Sequence, residues 1–126
     1  MQVKCGDILV VEDNPDIRDT MRDVLELQGF TVRTANNGEE GLRLVESSPP
    51  CLVFLDLMMP VMDGWEFLEH LRAGGGHAAA IPVTVVSGAL DYGDVESRYG
   101  VRVLSKPVDI DALLTTANQY CGRSPG

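Results

Sequence analysis

Five polar side chains stand where an apolar run has just ended, and together they could carry phosphoryl transfer. Glu12 and Asp13 follow Ile8 to Val11 (ILVV), and Asp56 follows Cys51 to Leu55 (CLVFL). Ser87 follows Val83 to Val86 (VTVV), and Lys106 lies just past Val101 to Leu104 (VRVL). If these runs are strands of one parallel sheet, all five residues share one rim, because ligands of open α/β sheets gather beyond the carboxyl ends of the strands. Three carboxylates a few Å apart repel by several kcal/mol, so the group calls for a cation. Oxygen-only ligands with positions left for water favour Mg²⁺ over zinc. A carboxylate beside Mg²⁺, with an ammonium on its far side, can attack phosphorus. The metal and Lys106 would neutralise the phosphoryl oxygens, Ser87 would hydrogen-bond a third, and the product would be an aspartyl phosphate on Asp56. Singly, each residue has an ordinary use: Asp56 forms a turn, Glu12 and Asp13 cap a helix, Ser87 turns a loop, and Lys106 is solvated. It is the shared position at strand ends that favours chemistry.

The elements that must position these groups alternate along the chain. After ILVV, Asn14 can cap and Pro15 can open a helix in which Ile17, Met21, Val24 and Leu25 recur at helical spacing, and Gly29 stops it. Thr31 to Ala35 (TVRTA) reads as a strand with interleaved polar residues. Asn37 and Gly38 lead into a helix over Glu39 to Ser47, which Pro49 and Pro50 end. After the Asp56 strand, Asp63 and Gly64 close a turn before a helix over Trp65 to Arg72. Gly74 to Ala80 (GGGHAAA) reads as a flexible connector. Asp91 to Tyr99 is a helix with no clear apolar stripe. Asp109 caps a last helix carrying Ile110, Leu113, Leu114 and Ala117, and CGRSPG is a frayed tail.

Five alternations of strand and helix call for an α/β fold: a doubly wound, five-stranded parallel sheet with helices on both faces. ILVV, CLVFL and VTVV are apolar throughout and suit central positions, whereas TVRTA and VRVL alternate and suit edges. The flavodoxin-like order 2-1-3-4-5 meets both demands. That order is one already known for doubly wound sheets, and only its agreement with strand polarity is read from this chain.

Composition narrows the function. At 126 residues the chain fits a single domain spanning residues 1–126, with a core over about 7–120 and tails at 1–6 and 121–126. A net charge of −9 argues against nucleic acid as a partner, since phosphate backbones need a basic face. The longest apolar runs fall short of a membrane span and MQVKCGD lacks a signal-peptide core, so a cytoplasmic protein with no membrane partner is expected. Cys5, Cys51 and Cys121 are odd in number and lack metal spacing, so reduced thiols are expected rather than a disulfide. His70 and His77 read as surface residues.

The motifs LVVEDN, LDLMMPVMDG, VVSGA and SKP resemble the receiver domain of bacterial two-component response regulators, from about Asp7 to Tyr120. The resemblance implies that Asp56 accepts a phosphoryl group from a sensor histidine kinase or a histidine phosphotransfer protein. It implies a metal set of Glu12, Asp13, Asp56 and the backbone carbonyl of Met58, with Asp13 binding Mg²⁺ directly and Glu12 acting mainly through water. Ser87 would be the switch hydroxyl and Lys106 the partner ammonium, joined to Pro107 by a cis bond. Such a chain is not an enzyme but a phosphoacceptor signalling domain. It catalyses only its own phosphorylation and dephosphorylation, and reaches a downstream effector protein by direct contact. One residue departs from the pattern: receivers usually carry Tyr or Phe three residues before the lysine, and this chain has Val103. Tyr99 or Tyr92 are the candidates to replace that ring. Two other readings follow, a receiver that signals by phosphate-independent contacts, and an aspartyl-phosphate hydrolase. The hydrolase fits less well, because such enzymes generally place a second acid two residues after the nucleophile, where this chain has Met58.

Overall fold

The computed structural model describes residues 7–88 and 93–121. Five parallel strands, β1 (Ile8–Val11), β2 (Val32–Ala35), β3 (Leu52–Leu55), β4 (Val83–Ser87) and β5 (Arg102–Ser105), pair in the order β2-β1-β3-β4-β5. The polarity of the strands agrees with that order. β1, β3 and β4 are buried along their whole length, whereas β5 is exposed at both ends and β2 is buried only at Ala35. Central strands are covered on both faces and must be apolar throughout, while edge strands can alternate.

Among the described residues five helices lie between the strands, α1 (Pro15–Leu27), α2 (Gly38–Ser47), α3 (Gly64–Ala73), α4 (Gly76–Ala79) and α5 (Gly93–Tyr99), and α6 (Ile110–Cys121) follows the last one. Strand side chains alternate between two cores, as a period of two requires. Leu9, Val11, Val53, Leu55, Val83 and Val85 pack with Val45 of α2, Phe67, Leu68 and Leu71 of α3 and Val95 of α5. Ile8, Val10, Leu52, Phe54 and Val86 pack with Met21 and Leu25 of α1 and Leu113 and Ala117 of α6. Among the described residues no helix is long and apolar enough to cross a membrane.

The helix starts follow local chemistry. Asn14 Oδ1 accepts from the N–H groups of Asp16 (2.9 Å) and Ile17 (3.1 Å), with Pro15 in the first turn, where its missing N–H costs nothing. Asp63 and Glu66 form a reciprocal capping box at α3. Gly64 follows the cap because nothing larger fits: a Cβ there would lie 2.6 Å from the carbonyl oxygen of Asp56 and 2.7 Å from Cα of Leu57.

Three expectations are corrected. The Gly74 to Ala80 segment is not a featureless connector but contains α4, held because Arg72 Nη1 donates to the carbonyls of Ala79 (3.0 Å) and Ile81 (3.1 Å). Cys121 is not part of a tail; it is buried at the end of α6. Cys51 and Cys121 are not thiols but a disulfide, with Cα atoms 5.9 Å apart. The pairing arises because the start of β3 lies against the end of α6, a meeting that spacing along the chain does not announce. Cys5, Tyr92, the start of the helix expected from Asp91, and the side chain of His77 lie outside the described residues, while His70 is exposed as expected.

Two outcomes follow. The disulfide spans 70 residues, and restricting so long a loop in the unfolded chain stabilises a fold by about 4 kcal/mol. Thiol titration of the denatured, unreduced protein is expected to give one reactive group, Cys5, and three after reduction, with a lower melting temperature for the reduced protein; three thiols before reduction would refute the bond. Gly64→Ala is expected to destabilise by about 1 to 3 kcal/mol, read by denaturant unfolding, because the added methyl must push the β3 end away from α3.

Candidate functional site

The register of the sheet brings the acids together. Val11 of β1 pairs with Leu55 of β3, so Glu12 and Asp56 leave adjacent strands at the same level. The N–H of Asp56 donates to the carbonyl of Val11 (3.0 Å), and the N–H of Glu12 donates to that of Ala35 (3.1 Å). One carboxylate oxygen from each of Glu12, Asp13 and Asp56 lies within 4.8 Å of the others. Glu12 and Asp56 are buried and Asp13 is exposed, which leaves the cluster one wet side. At that separation each pair of charges repels by roughly 3 to 4 kcal/mol for an effective dielectric near 20.

Lys106 answers part of this charge. Its Nζ lies 2.9 Å from Glu12 Oε1 and 3.4 Å from Asp56 Oδ2. The backbone brings it there: Ser87 and Ser105 are register partners, the N–H of Lys106 donates to the carbonyl of Ser87 (3.2 Å), and the Lys106–Pro107 bond is cis. Burial disfavours the ammonium, but Glu12 and Asp56 outweigh it and raise its pKa. Glu12 is only 2% exposed. Burial, reinforced by the charge of Asp56, pushes its carboxyl from 4.5 to about 7 against the opposing pull of Lys106 and the N–H of Asn14.

Asp56 presents two distinct oxygens. Oδ1 accepts from the N–H of Met58 (3.3 Å), and Oδ2 faces Lys106. The pocket around them, of about 780 Å³, is lined by Glu12, Asp13, Asn14, Ile17, Asp56, Met58, Trp65, Ser87, Gly88 and Lys106. All six residues expected at the site, Glu12, Asp13, Asp56, Met58, Ser87 and Lys106, therefore line one pocket. An oxygen-donor set of three carboxylates open on one side suits a hard divalent cation such as Mg²⁺.

Sequence reasoning passed over two features of this pocket. Trp65 forms part of its wall, although its place in an apolar helix marked it only as a helix former. The loop carrying Met58 turns through Val61, whose φ of 69° is rarely adopted by a β-branched residue. The N–H of Met62 donates across it to the carbonyl of Pro60 (2.7 Å), and the N–H of Gly38 donates to the carbonyl of Met62 (3.0 Å), so the strained turn is fixed from both sides.

Comparison with known proteins agrees with the geometry. Residues 8–118 match the family model of the response regulator receiver domain. The chain is 40% identical over 118 residues to an uncharacterized 14.6 kDa protein of Leptolyngbya boryana, covering 91% of this chain and 89% of that one. It is 34% identical to protein PilH of Pseudomonas aeruginosa, covering 88% and 93%. It spans only about half the length of the probable C4-dicarboxylate response regulators DctR that it also matches. Among solved structures, the receiver domain of NtrX from Brucella abortus superposes with a TM-score of 0.78 at 32% identity, covering 94% of this chain and all of that one. Receiver domains are signalling domains that bind Mg²⁺ at an acidic pocket and interact with histidine kinases or phosphotransfer proteins. Fold, acid cluster and family match coincide, and the chain belongs to the response regulator receiver domain family.

Proposed function

We propose that this chain is a phosphoacceptor receiver in which Asp56 takes a phosphoryl group from a histidine kinase or a histidine phosphotransfer protein and signals by protein contact. The observation that carries the reading is Lys106 Nζ between Glu12 and Asp56, with Asp13 completing the acid cluster. A carboxylate oxygen of Asp56 attacks phosphorus, an O–P bond forms, and the N–P bond of the phosphohistidine breaks with its electron pair returning to the imidazole. Lys106 supplies a fixed positive charge beside the incoming oxygens, and the hydroxyl of Ser87, on the same rim, supplies a hydrogen bond to one of them. Glu12, Asp13, Asp56 and the carbonyl of Met58 would hold Mg²⁺, whose chemistry here is neutralisation of phosphoryl charge. Asp13, the exposed member of the cluster, would be the direct ligand and Glu12 would act mainly through water, as the family resemblance implies. The net charge of −9 fits a protein partner rather than nucleic acid, and a cytoplasmic setting fits a donor that is itself a phosphorelay protein.

A small phosphodonor with Mg²⁺ is expected to add one phosphoryl group, detected as a mass increase of the intact protein. Asp56→Ala should abolish the addition, and Lys106→Ala should slow it by about 10²-fold or more, the usual scale for removing one preorganised charge. Labelling of Asp56→Ala at the wild-type rate would place the acceptor elsewhere.

Metal binding should depend on pH through Glu12. Its carboxyl holds a proton in the folded chain up to about 7, against 4.5 in the unfolded one, so folding takes up a proton between these values. Metal-free stability contributed by this group is therefore present at low pH and lost as pH rises from 4.5 to 7. Mg²⁺ competes with that proton, so its apparent affinity should rise by up to about tenfold per pH unit below 7 and level off above it. Thermal stabilisation by Mg²⁺, measured at several pH values, should follow that curve, and Glu12→Gln should flatten it.

A further inference from the structure

The start of β3 and the end of α6 are joined by a bond that the acid pocket does not use. Cys51 immediately precedes β3 and Asp56 immediately follows it, so the Cys51–Cys121 disulfide lies at the opposite rim of the sheet from the carboxylates. The two cysteines differ in access: Cys51 is partly exposed, whereas Cys121 is only 2% exposed. They also differ in how firmly they are held. The N–H of Cys51 donates to the carbonyl of Asp7 (2.8 Å), and the strand that follows it is paired with β1 and β4. Cys121 closes the last turn of α6, in which Asn118, Gln119 and Tyr120 are exposed and no basic residue offsets the negative end of the helix. Of that turn's residues Cys121 alone is buried, so the disulfide is its main attachment to the body of the domain.

We infer that the Cys51–Cys121 pair is a thiol-exchange site, opened by a dithiol of the Cys-x-x-Cys class, and that opening it frees the last turn of α6. Of the function proposed above, only the cytoplasmic setting is needed here, because cytoplasmic thiols make a disulfide a redox-responsive bond rather than a permanent staple. A thiolate of the dithiol attacks the sulfur of Cys51, the cysteine that can be reached from solvent. The S–S bond breaks, and its electron pair leaves on the sulfur of Cys121, which takes up a proton. The second thiolate of the dithiol then attacks its own half of the mixed disulfide. A new S–S bond forms within the dithiol, and Cys51 departs as a thiolate and is protonated. The dithiol is oxidised and the cysteine pair reduced, with no other reactant consumed. Once the bond is open, one small buried side chain holds the end of α6, where the last carbonyls have no partners within the helix. Such an end opens locally, without unfolding the sheet. The start of β3 stays in place because its neighbouring strands hold it.

The folded full chain, with Cys5 first alkylated, would be mixed with a thioredoxin-type protein in its Cys-x-x-Ser form, which attacks a disulfide but cannot resolve the adduct. A covalent adduct is expected, and peptide masses should place it on Cys51. After native reduction with dithiothreitol, amide hydrogen exchange should quicken about tenfold or more over the last turn of α6, and change by less than about threefold over β1 and β3. Reoxidation with oxidised glutathione should restore the slow exchange. The inference is overturned if the bond opens only after denaturant is added, or if the adduct maps to Cys121. It is equally overturned if exchange is unchanged in α6, or quickens by the same factor throughout the domain. Labelling of Asp56 enters neither measurement, so this inference and the phosphoacceptor reading fail separately.

Discussion

Mutual repulsion among Glu12, Asp13 and Asp56 is the constraint that the rest of this domain answers to. Each pair costs roughly 3 to 4 kcal/mol at the rim, and a domain of this size has only about 5 to 15 kcal/mol of net stability to set against it. Lys106 meets part of the demand by reaching Glu12 and Asp56 at once. A proton on Glu12 meets another part near neutral pH. The acids stay together because they project from backbone that has no freedom to separate them. Their strands are hydrogen-bonded in register, and the core on both faces of the sheet is almost wholly buried. The rigidity of the sheet is thus what sustains an arrangement that its own charges oppose.

The same rigidity explains why the surrounding loops are tightly built. Asp56 ends β3, and its carbonyl leaves no room for a side chain at position 64. The strained turn at Val61 is tolerated because Gly38 of α2 binds the carbonyl of Met62 just beyond it. Held this way, the N–H of Met58 points at Asp56 Oδ1 while Lys106 approaches Oδ2, so the two oxygens of one carboxylate meet different surroundings. A charged group whose orientation is fixed before reaction needs no reorganisation during it, which is the main way a protein stabilises developing charge.

How much of this could be read along the chain depends on whether the determining contacts are local or repeated. The division into central and edge strands was legible because polarity is a property of each run: ILVV has no residue that tolerates water, and VRVL carries Arg102 between two valines. The acids were legible because each directly follows a strand, where topology rather than side-chain packing decides position. The Cys51–Cys121 bond and the Trp65–Tyr99 contact were not, because each joins single residues of distant elements with no periodic signature. The α4 turn was hidden by GGGHAAA, whose composition suggests flexibility, while the guanidinium that fixes it, donating to the carbonyls of Ala79 and Ile81, belongs to Arg72 of the preceding helix. Val61 was hidden for the opposite reason, since a valine advertises extended backbone and here takes the left-handed one.

Stability is unevenly distributed around the acid pocket, and the direction of that gradient bears on how such a domain can signal. β1 and β3 frame the pocket and are fully buried, so a ligand cannot move them without disrupting both cores. α5, on one side of the sheet, keeps few buried contacts among its described residues. Free energy introduced at the pocket is therefore expressed where opposing packing is weakest, because a perturbation moves the element that costs least to move. The last residue of α5, Tyr99, packs its ring on Trp65 of α3, and both lie against the core that also takes Val103 of β5. A stiff site next to a soft helix lets one bound group change a surface that a second protein can read, and no further domain is required for that step.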